Sequence, residues 1–197
     1  IERYGSDVLR YFLLREVAFA RDGDFTWEAI ARRYQDDLGN DLGNLVLRSV
    51  SMLKRYENGI VPEIGKITEV ETSLKAMEQT AWEVTAANFE NWRFHQALAA
   101  TWQYINGVNR YIEQTEPWKL AREDSERQRL HTVLATILDS LPRISTMIRP
   151  VMPQTADIID GQLGVSGQSA KWGSSKSVFS PGHKVPGGAA LFPRLDG

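Results

Sequence analysis

The most regular pattern of apolar positions in this chain lies between residues 41 and 56. Apolar side chains recur there at steps of three and four residues, which is the spacing of one face of an α-helix. Asn58 and Gly59 follow, and both residue types tolerate the left-handed conformation that ends helices. We therefore predict an amphipathic helix whose apolar face packs on a core. That face carries Leu42, Leu45, Val46, Val50, Leu53 and Tyr56.

The opposite face of this predicted helix is polar. Asn44 and Arg48 are four residues apart, so they lie near one line along the helix surface. An amide beside a guanidinium offers hydrogen-bond donors and an acceptor on one rigid surface, which suits a nucleobase or a phosphate. A solvated face with a few ion pairs explains the same residues, and this helix alone favours that simpler interpretation.

Two shorter helices are predicted before residue 41. Either Ser6 or Asp7 is in place to cap the first of them. The second extends from about 27 to 38, with Thr26 as its cap. Between the two, residues 22–25 have the composition of a turn.

Three longer helices are predicted after residue 66. The first presents a seam of apolar residues between Val70 and Val84, and the second must end near Thr115 because Pro117 follows. The third begins at 125–128, which have the form of a capping box, and Pro142 is expected to kink or break it.

The chain is predicted to finish with a short helix over 153–163 and an extended tail. From residue 165 the composition shifts to Gly, Ser, Pro and Lys, without the apolar periodicity of a helix. The fold class is therefore all-α, a helical bundle with an extended C-terminal tail. The residues expected to anchor that tail are Trp172, Phe179, Leu191 and Phe192.

Composition narrows the classes of function. The 197 residues are 42% hydrophobic and carry no cysteine, so a good core is expected, without disulfides or thiolate metal sites. No apolar run approaches the roughly 20 residues that a bilayer requires, and no membrane association is expected. The net charge of -2 argues against binding nucleic acid by general phosphate attraction. Recognition of unpaired bases by stacking and edge hydrogen bonds stays open.

Candidate catalytic and metal-binding residues are scattered along the chain. His95, His131 and His183 lack the spacing that places two metal ligands on one helix face. The glycines within 161–167 have neither the preceding strand nor the following helix of a phosphate-binding loop. We therefore predict no catalytic residue and no metal site.

Several blocks of the sequence, in order and spacing, resemble the methionyl-tRNA synthetase family. The glycine-asparagine block, 37–46, is specific to that family, whereas 150–153 occurs across related class I synthetases. Gln35 stands where the family commonly has Asn, and Pro142 interrupts a helix that usually continues. Neither departure is expected to touch the face of Asn44 and Arg48. The matching blocks are 4–16, 22–25, 37–46 with Arg48, 109–112, Pro117-Trp118, 150–153 and 191–194.

The resemblance implies the carboxy-terminal part of such a synthetase. Residues 1–25 would be the stem-contact segment, 26–164 the helical anticodon-binding domain, and 165–197 a tail that packs back on the protein. In the family, the residues that match Asn44 and Arg48 hydrogen-bond the first anticodon base, a cytosine. The pair that matches Pro117 and Trp118 supplies the stacking platform for that base.

The function implied is recognition of the CAU anticodon of tRNA(Met) within a methionine-tRNA ligase, which uses ATP with Mg. Neither ATP-site signature of the family occurs here, and the chain does not begin with Met. We therefore expect a non-catalytic fragment with no cofactor of its own, whose partners are the anticodon loop and its own N-terminal catalytic domain. A monomer is expected in a bacterial cytoplasm, or alternatively in a mitochondrial matrix.

Two other functions stay open. One is the anticodon-binding domain of a different class I synthetase, against which the glycine-asparagine block argues. The other is a helical module that binds protein rather than RNA.

Overall fold

The structure is a computed structural model, and it describes residues 4–16, 26–168, 170–174 and 176–194. Within these ranges the backbone forms no β-strand, only one antiparallel bridge between Ile60 and Lys184, so the all-α prediction is confirmed. The turn predicted over 22–25 lies outside the described residues. The elements are α1 (Ser6–Glu16), α2 (Trp27–Arg33), a π-helix (Tyr34–Gly43), α3 (Asn44–Glu57), α4 (Glu69–Glu90), α5 (Phe94–Thr115), α6 (Pro117–Leu120), a 3₁₀ turn (Asp124–Glu126), α7 (Arg127–Ile148) and α8 (Pro153–Leu163).

The sequence predicted separate helices over 27–38 and 41–56, but α2, the π-helix and α3 follow one another without interruption. Thr26 caps α2 as predicted, its hydroxyl accepting a hydrogen bond from the backbone N–H of Ala29 at 3.1 Å. Glycine normally weakens a helix, but Leu38 and Leu42 of the π-helix are both fully buried. Their burial holds the segment in a helical path.

Helix α3 confirms the amphipathic helix predicted from the sequence. Its predicted apolar positions are buried, except that Tyr56 is half-buried, and it ends at Asn58 with a left-handed φ of 53°. Helices α4 and α5, joined by a short connection, then pack against each other as a helical hairpin. The predicted seam of α4 is wrong at Val84, which is 40% exposed, because Trp82 turns into the core instead.

The capping box predicted at 125–128 is wrong. Residues 124–126 form the 3₁₀ turn, Glu126 makes no side-chain capping bond, and the N–H of Arg127 donates to the carbonyl of Asp124 instead. The capping box instead begins α4, where the Thr68 hydroxyl accepts from the N–H of Val70. The Glu71 carboxylate accepts in return from the N–H of Thr68 at 2.8 Å.

The sequence predicted that Pro142 kinks or breaks its helix; the break is wrong, because α7 is continuous through Pro142. A proline inside a helix costs about 3 kcal/mol. Pro142 is buried in the bundle, and its carbonyl accepts a hydrogen bond from the Thr146 hydroxyl at 2.9 Å. The side chain of Arg143 donates to the carbonyl of Asp139 at 2.6 Å. Tertiary packing and these bonds keep the helix continuous.

The sequence predicted that Ser6 or Asp7 caps α1, but both lie inside that helix, and Asp7 binds α8 instead. Its carboxylate accepts from the backbone N–H of Thr155 at 2.7 Å and from the Thr155 hydroxyl at 2.9 Å. These bonds satisfy free donors in the first turn of α8 and fasten α1 to it. Helix α8 ends at Gly164, whose φ is 72°, as predicted.

The tail returns across the bundle as an extended segment. The N–H of Val185 donates to the carbonyl of Gly59 at 2.8 Å. Trp172 packs against Trp82 with ring centroids 4.7 Å apart, and Phe192 packs against the ring of Tyr34. Phe179 and Leu191 are half-buried, so all four predicted anchors contact the core. None of the helices in the described ranges has the length and apolarity needed to cross a bilayer.

Candidate functional site

Asn44, the first residue of α3, is exposed and lines an open groove of about 790 Å³. Asn40 and Gln35 line the same groove, so the expectation that Gln35 lies away from this face is wrong. The i→i+5 bonds of a π-helix make wider turns than an α-helix, and this changes which residues share a face. The groove therefore presents three side-chain amides along one side.

The opposite wall of this groove is the C-terminal tail. The Tyr34 hydroxyl donates to the carbonyl of Pro193 at 2.7 Å, which attaches the tail to the π-helix. A Cβ added at Gly43 would lie 3.2 Å from Cδ2 of Phe192, so glycine is what permits this close approach. The width of the groove is thus set by contacts between residues far apart in the sequence, such as Tyr34 and Pro193, which are 159 positions apart.

Arg48 lies one turn beyond Asn44 and is directed to α5 rather than into the groove. Its Nη2 is 2.5 Å from Oε1 of Glu113. The Arg48 side chain is 26% exposed and that of Glu113 is 60% exposed. A pair this exposed is worth about 1 kcal/mol or less, so Arg48 can exchange Glu113 for a ligand at small cost.

Pro117 and Trp118 follow the end of α5. Glu116 adopts a left-handed conformation, φ 44° and ψ 57°, which ends α5 and turns the chain into α6. Pro117 occupies the first position of α6 and is buried, where its lack of an N–H costs nothing. Trp118 is half-buried, with part of its indole against the core and part in solvent.

Helix α5 connects Asn44 and Arg48 with Pro117 and Trp118. The side-chain amide of Asn109 donates to the carbonyl of Asp41 at 3.1 Å, just before α3. Farther along the same helix Glu113 contacts Arg48, and Trp118 follows five residues later in the chain. The structure therefore brings Arg48 and the Pro117-Trp118 turn to one end of α5, with Asn44 one turn of α3 away.

The carboxyl group of Asp41 is perturbed by this packing. Burial raises its pKa above the ordinary value, the charge of Asp37 raises it further, and a hydrogen bond with Asn106 partly opposes both effects. Asp41, near the end of the π-helix, is thus held by two asparagines of α5: Asn106 binds its carboxylate and Asn109 donates to its backbone carbonyl.

Sequence reasoning missed Glu113 as a neighbour of the site. A signal was present, because Asn106, Asn109, Arg110 and Glu113 recur at three- and four-residue steps on the polar face of α5. That pattern marks a polar stripe, but it does not say that the stripe faces Arg48.

His131 and His183 each contact a neighbouring group of the protein. His131 lies 3.2 Å from the carboxylate of Glu57, and the ring of His183 is 2.8 Å from the carbonyl of Leu163. Over the described part of the chain, no three His, Asp or Glu side chains are grouped so as to hold a metal ion.

Two family models together match most of the chain, and their ranges include the four candidate residues. The family described as the anticodon binding domain of methionyl tRNA ligase matches residues 61–196. The chain belongs to the methionyl-tRNA ligase family. A second description, tRNA synthetases class I (M), matches residues 1–50. Asn44 and Arg48 lie within this second match, and Pro117 and Trp118 lie within the first.

Curated relatives from bacteria carry the same family name. The chain is 39% identical over 197 residues to a methionine–tRNA ligase of Caldanaerobacter subterraneus subsp. tengcongensis, covering 100% of this chain and 31% of that protein. It is 38% identical over 199 residues to a methionine–tRNA ligase of Bacillus subtilis, covering 100% of this chain and 30% of that protein. The chain thus spans about a third of the length of these relatives.

Solved structures of the family share the fold. The apo form of Mycobacterium tuberculosis methionyl-tRNA synthetase superposes with a TM-score of 0.93 at 33% identity, covering 100% of this chain and 40% of that one. The same enzyme bound by methionyl-adenylate gives a TM-score of 0.91 at 33% identity, covering 98% and 38%. The family resemblance and the helical anticodon-binding fold predicted from the sequence are confirmed.

Proposed function

We propose that this chain recognises the CAU anticodon of tRNA(Met) as part of a methionine-tRNA ligase. The observation that carries the proposal is the arrangement at the end of α5. There the guanidinium of Arg48 contacts Glu113, five residues before the half-buried indole of Trp118, and the exposed amide of Asn44 lies one turn of α3 before Arg48. Together these groups offer edge hydrogen bonds and a stacking surface, which is how proteins recognise unpaired bases of RNA loops.

Cytosine at the first anticodon position fits these groups. Its exocyclic amine is a donor beside carbonyl and ring-nitrogen acceptors, so the carbonyl oxygen of Asn44 accepts from the amine. The guanidinium of Arg48 donates to the acceptors. Arg48 leaves Glu113 to do so, and the exposure of that pair keeps the cost small. Trp118 stacks on the base, with Pro117 fixing the turn that presents the indole.

The groove beside Asn44 has room for more than one base. Its volume of about 790 Å³ is within the range of small-molecule sites, and its lining combines amides with the aromatic ring of Phe192. The net charge of -2 agrees with recognition by stacking and edges rather than by phosphate attraction alone.

In this proposal the chain is the non-catalytic part of a longer enzyme that joins methionine to tRNA(Met) using ATP with Mg. Residues 1–25 form the stem-contact segment, 26–164 the anticodon-binding domain, and 165–197 the tail. The ATP-site signatures of the family do not occur in this sequence, so its residues supply no group to the adenylation step. The tRNA(Met) anticodon loop and the N-terminal catalytic domain are the partners.

We place the protein, as a monomer, in a bacterial cytoplasm, because the curated relatives are bacterial. The mitochondrial matrix is the alternative compartment.

The test compares RNA hairpins that differ only in the anticodon. The chain is expected to bind a CAU hairpin more tightly than hairpins altered at any one of the three bases. Preference for a different anticodon would indicate another class I synthetase. No binding to any hairpin, with a folded chain, would indicate a helical protein-interaction module.

A further inference from the structure

The interior of the bundle contains two polar layers of the same composition. In each layer a glutamate of α4 accepts hydrogen bonds from a tyrosine of α5 and an arginine of α7. The first layer joins Glu71 to the Tyr111 hydroxyl at 2.5 Å and to Nη2 of Arg129 at 2.8 Å. The second joins Glu78 to the Tyr104 hydroxyl at 3.3 Å and to Nε of Arg143 at 2.7 Å.

The two layers differ in their place along α5. Tyr104 lies near the middle of the helix, whereas Tyr111 lies one turn before its last residue, Thr115. The Thr115 hydroxyl donates to the carbonyl of Tyr111 at 2.7 Å. The layer of Tyr111 is thus two helical turns closer to Trp118 than the layer of Tyr104.

Glu71 connects the two ends of the segment that carries Trp118. The segment leaves α5 after Thr115 and enters α7 at Arg127. Tyr111 is in the last two turns of α5 and Arg129 is in the first turn of α7, and both donate to the carboxylate of Glu71. The turn that presents Trp118 is therefore closed at its base by one buried carboxylate.

This carboxylate is firmly held. Burial alone would raise the pKa of Glu71, but hydrogen bonds from Arg129, Thr68 and Tyr111 outweigh it and lower the pKa to about 2. Glu71 is 4% exposed and ionised at any physiological pH. Immediately beyond the layer, Glu116 has a left-handed backbone, a conformation that non-glycine residues keep only where the surroundings impose it.

We propose that Glu71, Tyr111 and Arg129 are positioning residues that hold the Pro117-Trp118 turn in the orientation needed for stacking on an anticodon base. The proposal rests on the proposed function. Loss of one donor loosens the end of α5 relative to α7, so the indole samples more orientations and the entropy lost on stacking increases. The layer of Glu78 has the same three residue types, with Lys75 as a further donor to Glu78, but supports no part of this turn.

The experiment is a cycle between a protein variant and the loss of one base. Tyr111→Phe removes only the hydroxyl that binds Glu71, and Tyr104→Phe makes the same change in the other layer. Each variant is titrated with a CAU hairpin and with the same hairpin abasic at the first anticodon position. Glu71→Gln is measured as a second variant of the first layer, and thermal melting shows that every variant is folded at the assay temperature.

Tyr111→Phe and Glu71→Gln are expected to weaken binding of the CAU hairpin about three- to tenfold and to leave the abasic hairpin unchanged. Tyr104→Phe is expected to lower the melting temperature without changing affinity for either hairpin. An equal loss on both hairpins for Tyr111→Phe and Glu71→Gln would overturn the proposal, and so would a selective loss for Tyr104→Phe. If the wild-type chain itself binds both hairpins equally, the proposed function fails at the stacking step, before any variant is compared.

Discussion

Replacing Trp118 by alanine distinguishes a base-stacking tryptophan from one that serves only the core. Stacking of an aromatic side chain on a base contributes about 1–3 kcal/mol to binding, so Trp118→Ala should weaken binding of the CAU hairpin by that amount. Because Trp118 is only half-buried, the variant should lose roughly half of the ~3–5 kcal/mol of stability that truncation of a buried tryptophan costs.

Trp82 provides the matched control for this substitution. It is 1% exposed, lies on α4 and packs against Trp172. Trp82→Ala should cost the full ~3–5 kcal/mol of stability, while folded protein keeps its affinity for the hairpin.

The two variants are compared by urea unfolding and by fluorescence titration with a labelled CAU hairpin, below the unfolding midpoint of each. The expected result is a crossing pattern, in which Trp118→Ala loses more binding and Trp82→Ala loses more stability. If Trp118→Ala is as destabilised as Trp82→Ala and binds the hairpin normally, Trp118 is a core residue and its assignment to stacking is wrong.

Three further predictions concern other parts of the structure. Arg48→Ala should reduce the preference for cytosine over the other bases at the first anticodon position. Arg55 is an exposed cation of the same helix, so Arg55→Ala, the same loss of charge, should weaken binding of all hairpins alike. Equal behaviour of the two variants in hairpin titrations would contradict a base contact of Arg48. Glu71→Gln should be less stable than wild type by about 3 kcal/mol above pH 5. That difference should shrink as pH falls toward 2, because a lowered pKa stabilises only where the unfolded carboxyl is ionised; a constant difference in urea unfolding would refute it. Gly43→Ala should cost about 1–3 kcal/mol and displace the tail, since the new Cβ meets Phe192 at 3.2 Å; unchanged stability and unchanged proteolysis of the tail would contradict this.

Several helix boundaries were determined by the sequence alone. The ends of α3 at Asn58, of α5 at Thr115 and of α8 at Gly164 all agree with the prediction. In each case the signal is local, since a residue that favours a left-handed conformation or a proline limits the backbone within one or two positions. The apolar face of α3 was also predicted from the sequence, because the buried positions of a helix recur with its 3.6-residue period.

Pro117 and Trp118 were named as site residues only through the family resemblance, which also decided the role of Asn44 and Arg48. Periodicity placed Asn44 and Arg48 on one polar face, but it favoured a solvated surface for them. It also gave no reason to join them to Trp118, which is 70 residues farther along the chain than Arg48. The structure connects them through α5, where Glu113 contacts Arg48 across 65 residues. Such a contact depends on how helices pack, and no local pattern reports it.

Tertiary packing also decided where local signals conflicted. Pro142 and Gly39 are both residue types that favour a break in a helix, yet each lies inside a continuous helix. Burial of neighbouring apolar residues outweighs the free-energy cost of placing proline or glycine in a helix. Asp7 and the candidate capping residues at 125–128 had suitable chemistry, but a cap acts on whichever free N–H groups lie nearest in space. For Asp7 those belong to α8, 148 residues away, and only the folded bundle brings the two together.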